Sequence, residues 1–163
     1  MSPYIIDVEA SGFGVGSYPI EIGLVMPDQT THCFLVKPMK DWLHWDQKAA
    51  QIHGIKREDL INIGKPVTEI AHCLNELLGR EVIYTDAWGH DSSWLAKLYD
   101  GAGLFPSYRL DTLRKIITEP QAEIWMTTKN TVINELNLIR HRASADAVIL
   151  QQTYVRSQAM LNE

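Results

Sequence analysis

Apolar and polar positions along the chain fall into short strand-like blocks first and helical blocks later. Residues 3–8, PYIIDV, form an apolar run broken by one acid. A Gly-rich loop, Ser11 to Pro19, follows it. Two more strand-like runs, Pro19–Met26 and Thr31–Val36, are joined by the turn-forming Pro27-Asp28-Gln29. Three strands in succession predict an antiparallel meander. From Lys65 to Gly79 the period changes: Val67, Ile70, Ala71, Leu74, Leu77 and Leu78 recur at helical spacing, with Pro66 near the start and Gly79 past the end. Glu81–Tyr84 reads as a buried parallel strand, Ser92–Tyr99 as a helix, Tyr108–Leu110 as a short strand, and Asp111–Thr118 as a helix. Residues 121–137 read as mostly helical, and Ser144–Leu161 as a long final helix. Strands first, then alternating helices and strands, predict an α/β fold on a mixed sheet.

Composition narrows this picture only slightly. The 163 residues suffice for one domain, expected to span 1–163, with no linker or repeat. No apolar run is long enough to span a membrane, and the N-terminus MSPYIID lacks a basic-then-apolar leader, so a cytoplasmic protein is expected. Cys33 and Cys73 are too far apart for a Cys-x-x-Cys clip and read as two reduced thiols. A net charge of −5 argues against coating nucleic acid through a broad basic surface. It leaves room for an enzyme that grips one strand end with the help of bound cations.

The carboxylates change the picture most. In a strand, Asp7 and Glu9 point to the same face about 6–7 Å apart, and Ile5 and Ile6 before them suggest a buried central strand. Two like charges there cost on the order of 1–4 kcal/mol at an effective dielectric near 20, unless a hard divalent cation lies between them. The alternative is that the strand ends at Ile6 and both acids face water. Asp91 opens the helix after the EVIY strand, where it is either a functional acid or a routine cap. His141 precedes Ser144, a candidate cap of the last helix, which places Asp146 in that helix's first turn. On one continuous helix His141 and Asp146 would point about 140° apart; a loop followed by a helix lets them converge.

In order and spacing these elements resemble the DEDDh branch of the DEDD exonucleases, which includes ribonuclease T, oligoribonuclease and the proofreading subunit of bacterial replicative DNA polymerase. The likeness runs from Tyr4 to about Tyr154. Asp7-Val8-Glu9-Ala10-Ser11-Gly12 is similar to the first motif, Asp91-Ser-Ser-Trp-Leu to the second, and His141-x4-Asp146 to the third. Pro19-Ile20-Glu21-Ile22-Gly23 is similar to the family's second strand. Ile52-His53-Gly54-Ile55 is similar to the loop that wedges against terminal bases. Many members carry His-Asn ahead of the second-motif acid, whereas this chain has Thr85-Asp86, so Asp86 is a rival or partner for Asp91.

The resemblance implies an RNase H-like, mixed five-stranded sheet flanked by helices. It implies 3′→5′ hydrolysis of single-stranded DNA or RNA to nucleoside 5′-monophosphates, with Asp7, Glu9, Asp91 and Asp146 holding two Mg²⁺ or Mn²⁺ ions and His141 as general base. Imidazole as a class changes protonation close to neutral pH, which suits that task. For substrate, Ser11, Gly12 and Phe13 directly follow the acid pair, and the backbone there is expected to approach the terminal nucleotide. Phe13, Ile52 and His53 are candidates to wedge or stack on bases, with loop packing as the alternative. Arg142, beside Arg140, is a candidate phosphate contact, with solvated surface charge as the alternative. Relatives include dimers, which leaves a homodimer open. Two rivals stand against this reading. His90-Asp91 resembles the dyad of HD-type phosphohydrolases, which are all-helical, and a non-catalytic nucleic-acid-binding module on the same fold is the other.

Overall fold

The computed structural model describes residues 1–162. Its centre is a five-stranded sheet. Strands β1 (Tyr4–Ala10), β2 (Pro19–Val25) and β3 (Thr31–Leu35) form the expected antiparallel meander, and β4 (Val82–Thr85) and β5 (Arg109–Thr112) add parallel to the free side of β1, in the order β3-β2-β1-β4-β5. The strand carrying the acid pair is therefore central, and it continues past Ile6 to Ala10. The sheet is incompatible with the all-helical HD-type arrangement.

Among the described residues, six helices flank the sheet: α1 (Gln47–His53), α2 (Arg57–Ile63), α3 (Val67–Leu78), α4 (Trp88–Ala102), α5 (Glu119–Leu136) and α6 (Ala143–Leu161). The two faces of β1 separate by the strand period of two. Ile6, Val8 and Ala10 join the large core made with α3 and α4, where Leu74, Leu95 and Leu98 pack. Ile5 joins a smaller core with Ala147, Leu150 and Tyr154 of α6. Asp7 and Glu9 share the face of Ile5, so the acids point toward α6. None of the described helices is long and apolar enough to cross a membrane.

Several boundaries differ from the sequence reading. The helix expected over Asp111–Thr118 is instead the end of β5, whose Asp111 and Thr112 pair with Tyr84 and Thr85, followed by a single 3-10 turn, Leu113–Lys115. Pairing to the parallel neighbour outweighs local helix preference in so short a segment. Helix α4 starts at Trp88, placing Asp91 inside its first turn instead of at its cap. Helix α6 starts at Ala143 with Arg142 in the cap position, so Ser144 is not the cap. Helices α1 and α2 occupy a stretch whose apolar pattern is too short to show a period. Residues Ile52 and His53 end α1, and Gly54 turns the chain left-handed at φ 69°.

One close approach fixes where α6 begins. A Cβ on Gly23 of β2 would lie 2.2 Å from the backbone of Ala143 and Ser144. Because backbone cannot yield as a flexible side chain can, Gly23→Ala is expected to cost about 3 kcal/mol. Chemical denaturation would show this as a lower midpoint at unchanged slope; a midpoint within error of wild type would disprove the tight seating of α6.

Candidate active site

The acids converge from three separate elements. Along β1, Asp7 and Glu9 project toward the N-terminus of α6, where Asp146 sits in the first turn, and one carboxylate oxygen from each of the three lies within 4.8 Å of the others. Asp91 reaches the same place from the first turn of α4, where it is 1% exposed, and the Thr85 hydroxyl at the end of β4 donates to its Oδ2. Asp7, Glu9 and Asp91 line one groove of about 450 Å³, together with His141. Four acids and the histidine thus meet although they span most of the chain.

The electrostatics of this meeting are unfavourable by themselves. Burial pushes Asp7 well above the usual carboxylate range, and Asp91, then Glu9 and Asp146, push it further. Glu9 is raised to about 8, first by burial and then by Asp146, Glu21 and Asp91. Asp91 is raised to about 7 by burial, against the lowering effect of its bond from Thr85. The nearby guanidiniums neutralise this only in part: Arg140 Nε donates to Asp146 Oδ1 at 3.2 Å, and Arg142 is engaged by Glu21. Clustered hard oxygens, mutually destabilised while ionised, are the donor set that a divalent cation such as Mg²⁺ or Mn²⁺ requires. The residues present fit such an ion.

The remaining expected residues are placed unevenly. Ser11 is buried; its Oγ accepts from the Tyr18 amide at 3.0 Å and shares a 2.9 Å hydrogen bond with His44 Nδ1, so this hydroxyl is used inside the fold. Gly12 and Phe13 line the groove. A Cβ on Gly12 would fall 2.7 Å from Asp46 Cβ, so its close approach is to the loop before α1. Phe13, 67% exposed, packs its ring 5.0 Å from His90 and 5.9 Å from Trp94 at the rim. Ile52 is exposed and lines the groove with its neighbour His53. Arg142 is drawn to Glu21, with its Nη2 2.6 Å from Oε2. Asp86 stands outside the three-acid cluster, exposed and 4.0 Å from Lys129, though its charge is felt by both Asp7 and Asp91.

His53 is the most informative of these. Its Nδ1 accepts from the Ile55 amide at 2.9 Å, which leaves the ring proton on Nε2. Burial holds the imidazole below its usual value, so it stays neutral. That Nε2 is buried in the groove wall with no protein partner, a fixed donor without an acceptor.

Several residues in and behind the groove are hard to assign from the sequence. At Glu21 the signal is an acid inside the apolar run PIEIGLV. Thr85, which orients Asp91, had no signal beyond its place at a strand end. Asp46, Lys48 and His90 line the groove through loop and helix geometry that no periodicity reports, and His44 stands behind it, bonded to Ser11.

No protein-family model matches the chain, and no curated protein does. Solved structures do match, and what they define is the class of fold: α/β, RNase H-like. One, an exonuclease I structure described as suggesting how processivity is achieved, aligns at TM-score 0.71 and 13% identity over 96% of this chain and 40% of that one. Escherichia coli exonuclease I with a dA16 oligonucleotide aligns at TM-score 0.66 and 13% identity, over 91% of this chain and 38% of that one. The zinc-bound form of the Escherichia coli exonuclease I complex with single-stranded DNA aligns at TM-score 0.67 and 15% identity, over 100% of this chain and 41% of that one. This chain thus spans about two fifths of the length of the exonuclease I chains it resembles.

Proposed function

We propose that the chain is a divalent-metal-dependent 3′→5′ exonuclease of the DEDDh type, acting on single strands and releasing nucleoside 5′-monophosphates. The observation that carries this reading is that Asp7 and Glu9 cluster with Asp146 on one side and share a groove with Asp91 and His141 on the other. The likeness to exonuclease I structures solved with single-stranded DNA supports it and favours DNA over RNA as substrate.

Asp7, Glu9 and Asp146 would hold one cation, and Asp7 with Asp91 a second. Bound there, the ions would supply Lewis acidity for the scissile phosphate and the attacking water. His141, at the groove edge, takes the proton of that water as general base. Thr85 keeps one oxygen of Asp91 turned toward β4, leaving the other for the pocket. Phe13, Ile52 and His53, all lining the groove, would offer apolar and aromatic surface to the bases of a strand end.

A 5′-labelled single strand tests this. A ladder shortening from the 3′ end, dependent on Mg²⁺ or Mn²⁺ and stopped by EDTA, is expected, and faster on DNA than on matched RNA. Strand binding with no nucleotide released at any metal concentration would favour the binding-module reading. A single internal cut would indicate an endonuclease.

The orphaned His53 donor gives a finer prediction. His53→Phe keeps a ring of similar size and removes the Nε2–H together with the acceptor of the Ile55 amide, so the melting temperature is expected to fall for the unpaired amide and KM to rise by roughly 3–10-fold, the worth of one hydrogen bond to the strand, with kcat little changed. An unchanged KM would mean that the ring acts by packing alone.

A further inference from the structure

Glu21 is the most deeply embedded charged group outside the proposed metal ligands. It is 0% exposed in the middle of β2, where every neighbour along the strand is apolar or glycine. Its register partner is Glu9 on β1, so two acids stand directly opposite on one sheet face, an arrangement that is unfavourable alone. Glu21 is satisfied from the opposite direction. Arg142 Nε donates to its two oxygens at 3.1 and 3.0 Å, Arg142 Nη2 donates at 2.6 Å, and the Ala143 amide donates at 2.7 Å. Arg142 and Ala143 are the cap position and first residue of α6, and the residue before them is His141.

His141 has a left-handed backbone, φ 61°, which a non-glycine residue keeps only where its surroundings impose it. Two anchors upstream act on it: Arg140 Nε and the His141 amide both donate to Asp146 Oδ1, at 3.2 and 3.3 Å. Asp146, however, belongs to the acid cluster, so the loop shares it with the proposed ion site. Glu21 is not in that cluster, so its bonds to the loop do not compete with an ion for an Asp146 oxygen.

We propose that Glu21, through the Arg142 guanidinium and the Ala143 amide, is the positioning residue that holds His141 beside the acid cluster. The inference rests on the nuclease reading for His141 and assigns Arg142 to the loop and not to a substrate phosphate. Its neutral counterpart is available by substitution: Glu21→Gln weakens the clamp and strands a cation, whereas Glu21→Gln with Arg142→Leu removes both charges together.

The test is steady-state kinetics on a labelled single strand with Mn²⁺, well below the melting temperature of each variant. Glu21→Gln is expected to lower kcat by about 10–10²-fold, the effect of a displaced general base, with KM within about twofold. The double variant should recover thermal stability and not kcat. Arg142→Lys, which keeps the charge and loses the two-pronged geometry, should fold and show an intermediate kcat loss. A double variant that is stable and has wild-type kcat would reduce the pair to a structural contact and overturn the proposal. A rise confined to KM would return Arg142 to the substrate phosphates and overturn it equally. A readout without substrate separates this from the nuclease reading: the His141 ring resonance, assigned against His141→Gln, should shift in Glu21→Gln and in Arg142→Lys. If the wild-type protein never shortens a strand, the nuclease reading fails; if that resonance does not move, the positioning role fails.

Discussion

In the Asp7→Asn protein, shortening of a labelled strand falls by roughly 10³-fold or more, while the metal-free fold becomes harder to melt at pH 8. Both halves follow from one geometry. Asp7 is held well above the usual carboxylate range first by burial and then by Asp91, Glu9 and Asp146 together. Removing its charge removes the ligand that both proposed ions share, and the lost charge stabilisation of several kcal/mol converts to that fold-change. The stability effect has the opposite sign. Glu9, raised from 4.5 to about 8, and Asp91, raised from 3.8 to about 7, bind protons more tightly folded than unfolded. The folded state therefore holds more protons between pH about 4 and about 8, and stability of the metal-free protein falls as pH rises through that window. Below it the carboxyls are neutral in both states and the penalty is absent.

Asp7→Asn relieves the repulsion that a full set of ionised acids creates. At pH 8 with EDTA its melting temperature should exceed wild type by roughly 3–8 °C, from a few kcal/mol of relieved like-charge energy. At pH 5 the two proteins should melt closer together. Added Mn²⁺ should reverse the ranking at pH 8, because wild type gains ligand-linked stability and the variant gains little. Equal melting temperatures across the whole range would show that these four carboxyls do not crowd one another.

How much of this was legible beforehand depends on which physical effect governs each part. The sheet was legible because β1 to β4 carry patterns their environment enforces: central, two-sided burial for Pro19–Val25, and a change to helical period at Val67. The pairing of Asp7 with Glu9 was legible from the strand period alone, since i and i+2 share a face. Their direction toward α6 was not, because either face of a central strand can carry the acids until the helices are packed. Asp91 and Asp146 are legible as acids near helix starts, yet the start of the last helix is placed too late, at Ser144, because Arg142 makes no side-chain cap and the sequence favours residues that do. The helix expected after Leu110 failed because pairing to β4 acts through space. The role of Glu21 is hidden in the sequence for a related reason. An acid in an apolar strand signals a buried partner, and that partner, Arg142, is 121 residues away.

His141→Ala is the variant that divides chemistry from metal binding. The histidine lines the groove without being one of the three clustered acids, and its imidazole is offered by a loop that Glu21 and Asp146 hold from two sides. Loss of a general base lowers kcat by roughly 10²–10⁴-fold, with KM nearly unchanged because the ring adds little to ground-state binding. The acids are untouched, so the rise in melting temperature on adding Mn²⁺ should equal that of wild type, whereas Asp7→Asn should lose it. Activity loss therefore splits into two kinds, one with metal-linked stabilisation intact and one without. Should His141→Ala lose the Mn²⁺ response as well, the histidine would be serving as a ligand, and the water's proton would have to leave by another group in the groove, such as His90, which packs against Phe13.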